Sequence, residues 1–347
     1  MNKATILMSL HLLLLSGAAS AADPSWRGVW SGTIGKQQVM VCLDHDDSSS
    51  YYYRRHSYDI SLEASDKKGP RWAEMTKGKR TGEWKFESIT RDRLTGNWFA
   101  SKGKRSTPIV LERVSAPANE GQLCDDEAYN GPRIDAVKIN AGSPENFEGK
   151  RFRTLSAGVD TTISTVELLE SGPGVAGVNQ ALRAELRERI GNYYECLGSD
   201  NTRAEEVAEY SVTESPVFWS SRWLALAVVA DDYCGGLRIN HHYWYSTWDL
   251  SSGKNVDLWT WFEGMKYEAS AALNKIIVAH AKFDEECAEM LTENVTYSLH
   301  PSREGMVFSP QLYVGCQDDI VVPYDKLLPF LSPVGKREVK ALMSPRR

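Results

Sequence analysis

Two groups of residues have types and spacings that chemistry uses. The first is YCGGLRINHHYWYSTWDLSSGK, residues 233–254, where Cys234 precedes His241 and His242 among aromatics. A metal site, a cysteine nucleophile with its base, or a crosslinked hairpin would each account for it. Read as a strand, the stretch puts His241, Tyr243, Tyr245 and Thr247 on one face and His242, Trp244, Ser246 and Trp248 on the other. The two histidines then cannot share a metal without a bulge. Gly235-Gly236 fits a tight bend after a crosslinked cysteine. The expectation is a hairpin with an oxidised Cys234 and no metal. The second group is His300 with Cys316, which could act as general base and nucleophile. Asp318 and Asp319 lie beside Cys316 and disfavour the thiolate that attack requires.

His300 followed at this distance by Gly315-Cys316 resembles the peptidoglycan L,D-transpeptidases, in which a cysteine attacks a peptide carbonyl. That family has Ser or Thr two residues before the glycine and Arg or Asn shortly after the cysteine. Here Tyr313 and Gln317-Asp318-Asp319 stand in that context. An envelope enzyme using Cys316 and His300 is therefore the alternative reading, and a chain with no catalytic residue is the first. The chain has no G-x-S-x-G, no H-E-x-x-H, no G-x-x-x-x-G-K and no dinucleotide glycine fingerprint. No cofactor is expected. Tyr51-Tyr52-Tyr53-Arg54-Arg55-His56 could stack on sugars, but a strand divides it between two faces and sends part of it to the core.

The elements that would position these groups begin with an export signal. Lys3 precedes an apolar run from Ala4 to Leu15, and Ala19-Ser20-Ala21 fits a peptidase site, so residues 1–21 read as a signal peptide. No later run is long enough to span a bilayer; the longest is WLALAVVA, residues 223–230. The expected location is periplasmic or secreted. Six cysteines remain, Cys42, Cys124, Cys196, Cys234, Cys287 and Cys316, and an even set in an oxidising compartment favours disulfides. Many pairings are open. Locality points to Cys42–Cys124, Cys196–Cys234 and Cys287–Cys316.

Residues 22–115 alternate apolar and polar between Gly-Lys turns and read as a small antiparallel β-barrel or sandwich. Residues 116–147 carry Pro117, Gly121, Gly131, Pro132, Gly142 and Pro144 and read as a linker. Residues 148–347 read as an α+β domain with a mixed or antiparallel sheet and two main helices. One helix is marked by Val178, Leu182, Leu186 and Ile190, the other by Leu273, Ile276, Ile277, His280 and Phe283. Residues 218–229 read as one long strand. The chain's net charge of −6 is unevenly shared. Residues 22–115 hold 17 Lys/Arg against 12 Asp/Glu, and residues 116–347 hold 22 against 34. Docking of the two regions through opposite charge, plain solvation of both faces, or an acidic domain that meets a basic partner while the basic one meets an anionic polymer would each account for this.

Residues 217–262 also resemble the secreted bacterial domain of unknown function shared by lysozyme-sensing anti-sigma factors and some peptidoglycan deacetylases. The matching features are Tyr233, Gly235-Gly236, Asp249-Leu250, Gly253-Lys254 and the run Leu258 to Phe262. The segment VFSPQLYVGCQDDIVVPYDKLLPFL resembles that domain's closing strand and short helix. The resemblance covers about residues 150–335 and implies a non-catalytic α+β envelope domain. Some relatives bind a cell-wall enzyme. The function expected is an exported binding or interaction protein for a cell-wall enzyme such as a lysozyme, or for a cell-wall component. A structural accessory to a secreted complex is a further reading. Tyr233, Trp244, Trp248, Trp259 and Trp261 are the candidate binding residues. The expected partner is a basic envelope protein or a peptidoglycan component, and nucleic acid is not expected.

Overall fold

The structure is a computed structural model. It describes residues 26–44, 49–65, 71–102, 105–116, 123–198, 208–234, 238–283, 285–291, 295–312 and 316–343. The export segment, the Gly235-Gly236 bend and Gly315 lie outside the described residues.

Alternating strands of 5 to 11 residues, joined by turns, close on themselves. They are β1 (Gly28–Ile34), β2 (Gln37–Leu43), β3 (Ser49–Tyr53), β4 (Ile60–Ala64), β5 (Arg71–Thr76), β6 (Lys79–Ile89), β7 (Arg93–Ala100) and β8 (Ser106–Ser115). Each pairs antiparallel with the next and β8 returns to β1, so the barrel is realised and not the sandwich. Trp30, Tyr51, Trp72, Trp84 and Phe86 form its core, making it a packed core and not a channel. Glu74 is buried with them. Its carboxylate accepts from Tyr51 Oη (2.7 Å), Trp98 Nε1 (2.7 Å) and Thr81 Oγ1 (2.7 Å). A buried carboxylate is tolerable only with such donors.

The stretch read as a linker is structured in its second part. It holds α1 (Glu127–Asp135), β9 (Ile139–Ala141) and β10 (Glu145–Phe147). Gly131 and Pro132 lie inside α1, which concealed it as a helix. Asp126 caps it by accepting from Ala128 N (3.1 Å). α1 covers the outward-facing Tyr52, whose hydroxyl donates to Tyr129 O (2.8 Å). Tyr51 and Tyr52 are thus both core residues, and the tyrosine run offers no sugar platform there.

β9 and β10 flank β11 (Lys150–Ala157), which pairs with β12 (Ser164–Leu168). The helix marked by fourfold spacing is α2 (Val175–Gly198), with Val178, Leu182, Leu186 and Ile190 all buried. A second sheet follows, of β13 (Glu209–Trp219), β14 (Trp223–Tyr233), β15 (Asn240–Asp249) and β16 (Lys254–Asn255). The single strand expected over residues 218–229 is instead the corner of a hairpin. Ser220 Oγ accepts from Trp223 N (2.8 Å) and turns the chain between β13 and β14. Leu224 and Leu226 pack towards α2, while Trp223 and Ala225 pack into the opposite cluster. Burial on both faces is why this strand reads as continuous apolar sequence.

The opposite cluster is roofed by α3 (Ala271–His280), α4 (Glu285–Met290), β17 (Tyr297–Pro301), β18 (Gly305–Pro310), β19 (Ile320–Pro323), α5 (Tyr324–Leu327) and α6 (Pro333–Met343). The sheet pairings are antiparallel, apart from one isolated parallel bridge between Ile163 and Val212. Gly335 lets α6 approach closely: a Cβ there would lie 2.0 Å from Trp261 O. The fold is α+β, with α2 and α3 the two helices that the periodicity marked.

Three disulfides join Cys42 to Cys124, Cys196 to Cys234 and Cys287 to Cys316. They match the local pairing and fit an extracytoplasmic protein. Among the described residues no helix is long and apolar enough to cross a membrane.

Candidate functional site

Cys316 is bonded to Cys287, which corrects the nucleophile reading: a sulfur in that bond has no thiolate. His300 is buried, its Nδ1 lies 2.9 Å from Pro301 O, and its ring packs 4.1 Å from the Tyr245 ring. Burial holds its pKa below the usual histidine value. Asp319 is engaged as well, accepting from Tyr245 Oη at 2.6 Å, while Tyr243 Oη lies 2.5 Å from the same hydroxyl. The group is a tie between β15 and the β17–β19 sheet.

Cys234 is likewise tied, to the end of α2 through Cys196. The β14–β15 register is regular, with Asp231 opposite His241 and Ala230 opposite His242. The histidines therefore point to opposite faces. His241 Nδ1 lies 2.7 Å from Asp231 Oδ1, and His242 Nε2 lies 3.8 Å from Asp232 Oδ2. Among the described residues no group of three or more His, Cys, Asp or Glu is placed to hold a metal ion.

Four of the five aromatic candidates sit inside the protein. Trp248, Trp259 and Trp261 are core residues and Tyr233 is buried. Trp261 meets Trp223 edge-on, and Trp259 Nε1 donates to Tyr297 O (3.2 Å). The roof of helices and strands over the second cluster covers Trp259 and Trp261, while Trp248 packs under α2. Trp244 differs. It lies towards the free end of β15 and is 37% exposed, with no hydrogen bond or ring partner among the described residues.

Trp244 borders a groove of about 650 Å³ between α2 and the β13–β15 sheet. α2 contributes Glu185, Glu188 and Arg189, and the sheet contributes Glu214, Asp232 and His242. Arg189 is fully committed: it pairs with the buried Glu214 (2.6 Å) and donates to Ser164 O (3.1 Å). Thr165 Oγ1 also donates to Glu214. Glu188 has no hydrogen bond or ion pair among the described residues. Burial, then the neighbouring Glu214 carboxylate, raises the Glu185 pKa to about 7, against the pull of Arg189. Among the described residues the groove is therefore acidic with its one guanidinium already used, and an exposed indole stands at its edge. Such a site suits a cation.

A second cavity, of about 660 Å³, lies where the barrel meets α1 and α2. Arg133 of α1 is buried there against Asp59 of the barrel (3.0 Å) and donates to Ser57 O (3.1 Å). Its guanidinium also lies over the Tyr52 and Tyr194 rings, 4.9 Å from each. The base in this contact comes from the acidic region and the acid from the basic barrel. This ion pair therefore runs opposite to the net charges of the two regions.

No family model matches the chain, and no curated protein matches it. Among solved structures the chain is similar to a member of the DUF3298 family from Bacteroides fragilis, at 11% identity and TM-score 0.40, over 60% of this chain and 98% of that one. It is also similar to a DUF3298 family protein from Pseudomonas aeruginosa, at 10% identity and TM-score 0.33, over 60% of this chain and 95% of that one.

Proposed function

We propose that this chain is an exported, non-catalytic binding protein of the cell envelope that docks a basic partner, such as a lysozyme-like muramidase, in the groove beside Trp244. The observation that supports it is an exposed indole with no partner among the described residues, beside carboxylates whose one guanidinium neighbour among the described residues is already paired. Charge draws a basic protein towards the groove, but exposed charges act over only about 8 Å at physiological salt. A desolvated aromatic anchor supplies what charge does not. The lysozyme class of partner rests on the sequence resemblance of residues 150–335, and export rests on the N-terminal signal and the three disulfides. The buried tryptophans serve the fold that presents the groove.

The test is equilibrium binding of the full mature chain to a basic lysozyme at moderate and high salt, with wild type and Trp244→Ala. Saturable binding that persists at physiological salt and weakens on loss of Trp244 is expected. Binding that disappears with salt and ignores Trp244 reduces the interaction to nonspecific charge.

A further inference from the structure

A strand at the border of a sheet offers unpaired N–H and C=O groups, and proteins blunt such edges with lysine, proline, bulges or short strands. The barrel is closed and has no edge. β13 is bridged towards β12, where Val212 N donates to Thr162 O (3.0 Å), and its register shifts after Pro216. β9 and β10 have three residues each, and β19 has four and ends at Pro323. β15 uses none of these devices. It contains no Lys, Arg, Pro or Gly, and its register with β14 is unbroken.

Its outer side is covered over only part of its length. Tyr245 N donates to Ser298 Oγ (2.8 Å), and Thr247 O accepts from Val256 N (2.7 Å). Odd-numbered residues of β15 therefore turn their backbone groups away from β14. Those of His241 and Tyr243, nearer the hairpin end, have no hydrogen-bond partner among the described residues. Asn240, His241, His242 and Trp244 are exposed there. A depression of about 410 Å³ lies alongside, bordered by Ile239 and His241 of the hairpin and by Leu312 and Gln317. Gln317 Nε2 donates to Leu312 O (2.7 Å), which steadies that wall.

We infer that the edge of β15 at His241 and Tyr243 receives an extended segment of the partner as an added strand. The inference rests on the groove reading above and states how the partner's chain is held there. Main-chain hydrogen bonds supply the pairing, and side chains alternate between the two faces. One set meets Tyr243. The other meets Trp244, where a lysine or arginine is favoured over the indole. A second copy of this chain fits less well, because Asp231 and Asp232 flank the edge and would face their own counterparts.

Residue-resolved amide hydrogen exchange is measured on the full mature chain, free and saturated with a basic lysozyme. The amides of His241 and Tyr243 should slow at least ~10-fold in the complex, and those of His242 and Trp244, already paired to β14, should change little. His241→Pro removes an outward N–H and leaves the β14 ladder intact, whereas His241→Ala keeps the N–H. The first should lower lysozyme affinity about 10-fold or more and the second less than ~2-fold. If His241→Pro unfolds the hairpin, the wild-type exchange pattern decides alone. Odd-numbered amides that do not slow, with Trp244→Ala still weakening binding, overturn the added strand and leave the groove reading standing. Slowed amides with Trp244→Ala silent uphold the strand and remove the groove's anchor. Absence of saturable binding overturns both. Slowing of the same amides in a lysozyme-free dimer, seen by light scattering, assigns the edge to a second copy and overturns the inference.

Discussion

Replacing Arg133 by methionine tests how the barrel is joined to the rest of the chain. The substitution keeps an apolar stem among Tyr52, Tyr129 and Tyr194 but removes the guanidinium. It deletes the pair with Asp59 and the hydrogen bonds to Ser57 O and Asn130 Oδ1. Asp59 then keeps the Tyr129 hydroxyl, at 2.6 Å, as its remaining side-chain donor among the described residues. Breaking one partner from a buried pair costs about 3–5 kcal/mol, most of it from the charge left behind. Burial already raises the Asp59 pKa, and Arg133 and Tyr129 work against that rise. Without Arg133 it must rise further. A carboxyl whose pKa is raised in the fold adds stability at low pH and loses it as pH climbs through the folded value. The deficit of Arg133→Met should therefore be largest at pH 7 and above and shrink on acidification. Adding Asp59→Asn to Arg133→Met should restore part of the loss, because the orphaned charge is gone. Urea unfolding followed by tryptophan fluorescence at two pH values measures all three. A deficit below about 1 kcal/mol, or one that Asp59→Asn leaves unchanged, would refute the view that a buried ion pair joins the two regions.

Glu185→Gln should stabilise the protein at alkaline pH. The Glu185 pKa of about 7 means that the fold favours its protonated form, so its contribution is whole below the unfolded value and is lost as pH rises through 7. The side chain is 36% exposed, which reduces the gain at pH 8 to about 1–2 kcal/mol. Urea unfolding of wild type and variant should agree near pH 4.5, separate as the pH rises through 7 and stay apart by a constant amount above it; a difference that does not change between pH 4.5 and 7 contradicts the assignment. Trp261→Ala should cost about 3–5 kcal/mol, whereas Trp244→Ala should stay within about 0.5 kcal/mol. Comparable losses from the two would mean that Trp244 is a packing residue and not a free anchor.

How much of this was legible in sequence depended on whether neighbours along the chain decide it. The barrel could be read because its strands alternate and its turns carry glycine. α2 could be read because Val178, Leu182, Leu186 and Ile190 mark one face. Locality sufficed for the disulfides, since each joins a cysteine to the next one along the chain. The opposite holds for the tryptophans. An indole at 244 and one at 248 look alike in sequence, and the difference comes from α2 covering Trp248 while the end of β15 is left open. The turn at Ser220 was masked by apolar residues on both sides of it. α1 was concealed by Gly131 and Pro132, and it exists because it closes over Tyr52. The groove had no sequence signal. Glu188, Asp232 and Trp244 come from three elements, and no spacing within the chain brings them together.

The central claim is that partner binding occurs on the surface around Trp244 and α2. Its most direct measurement is residue-level footprinting of the full mature chain, free and saturated with a basic lysozyme, by carbodiimide labelling of carboxylates and oxidation of exposed aromatics. The account predicts protection at Trp244, Asp232 and Glu188, with none at Tyr267, which is 63% exposed and lies outside both cavities. Protection centred elsewhere, with Trp244 still fully reactive in the complex, would contradict it.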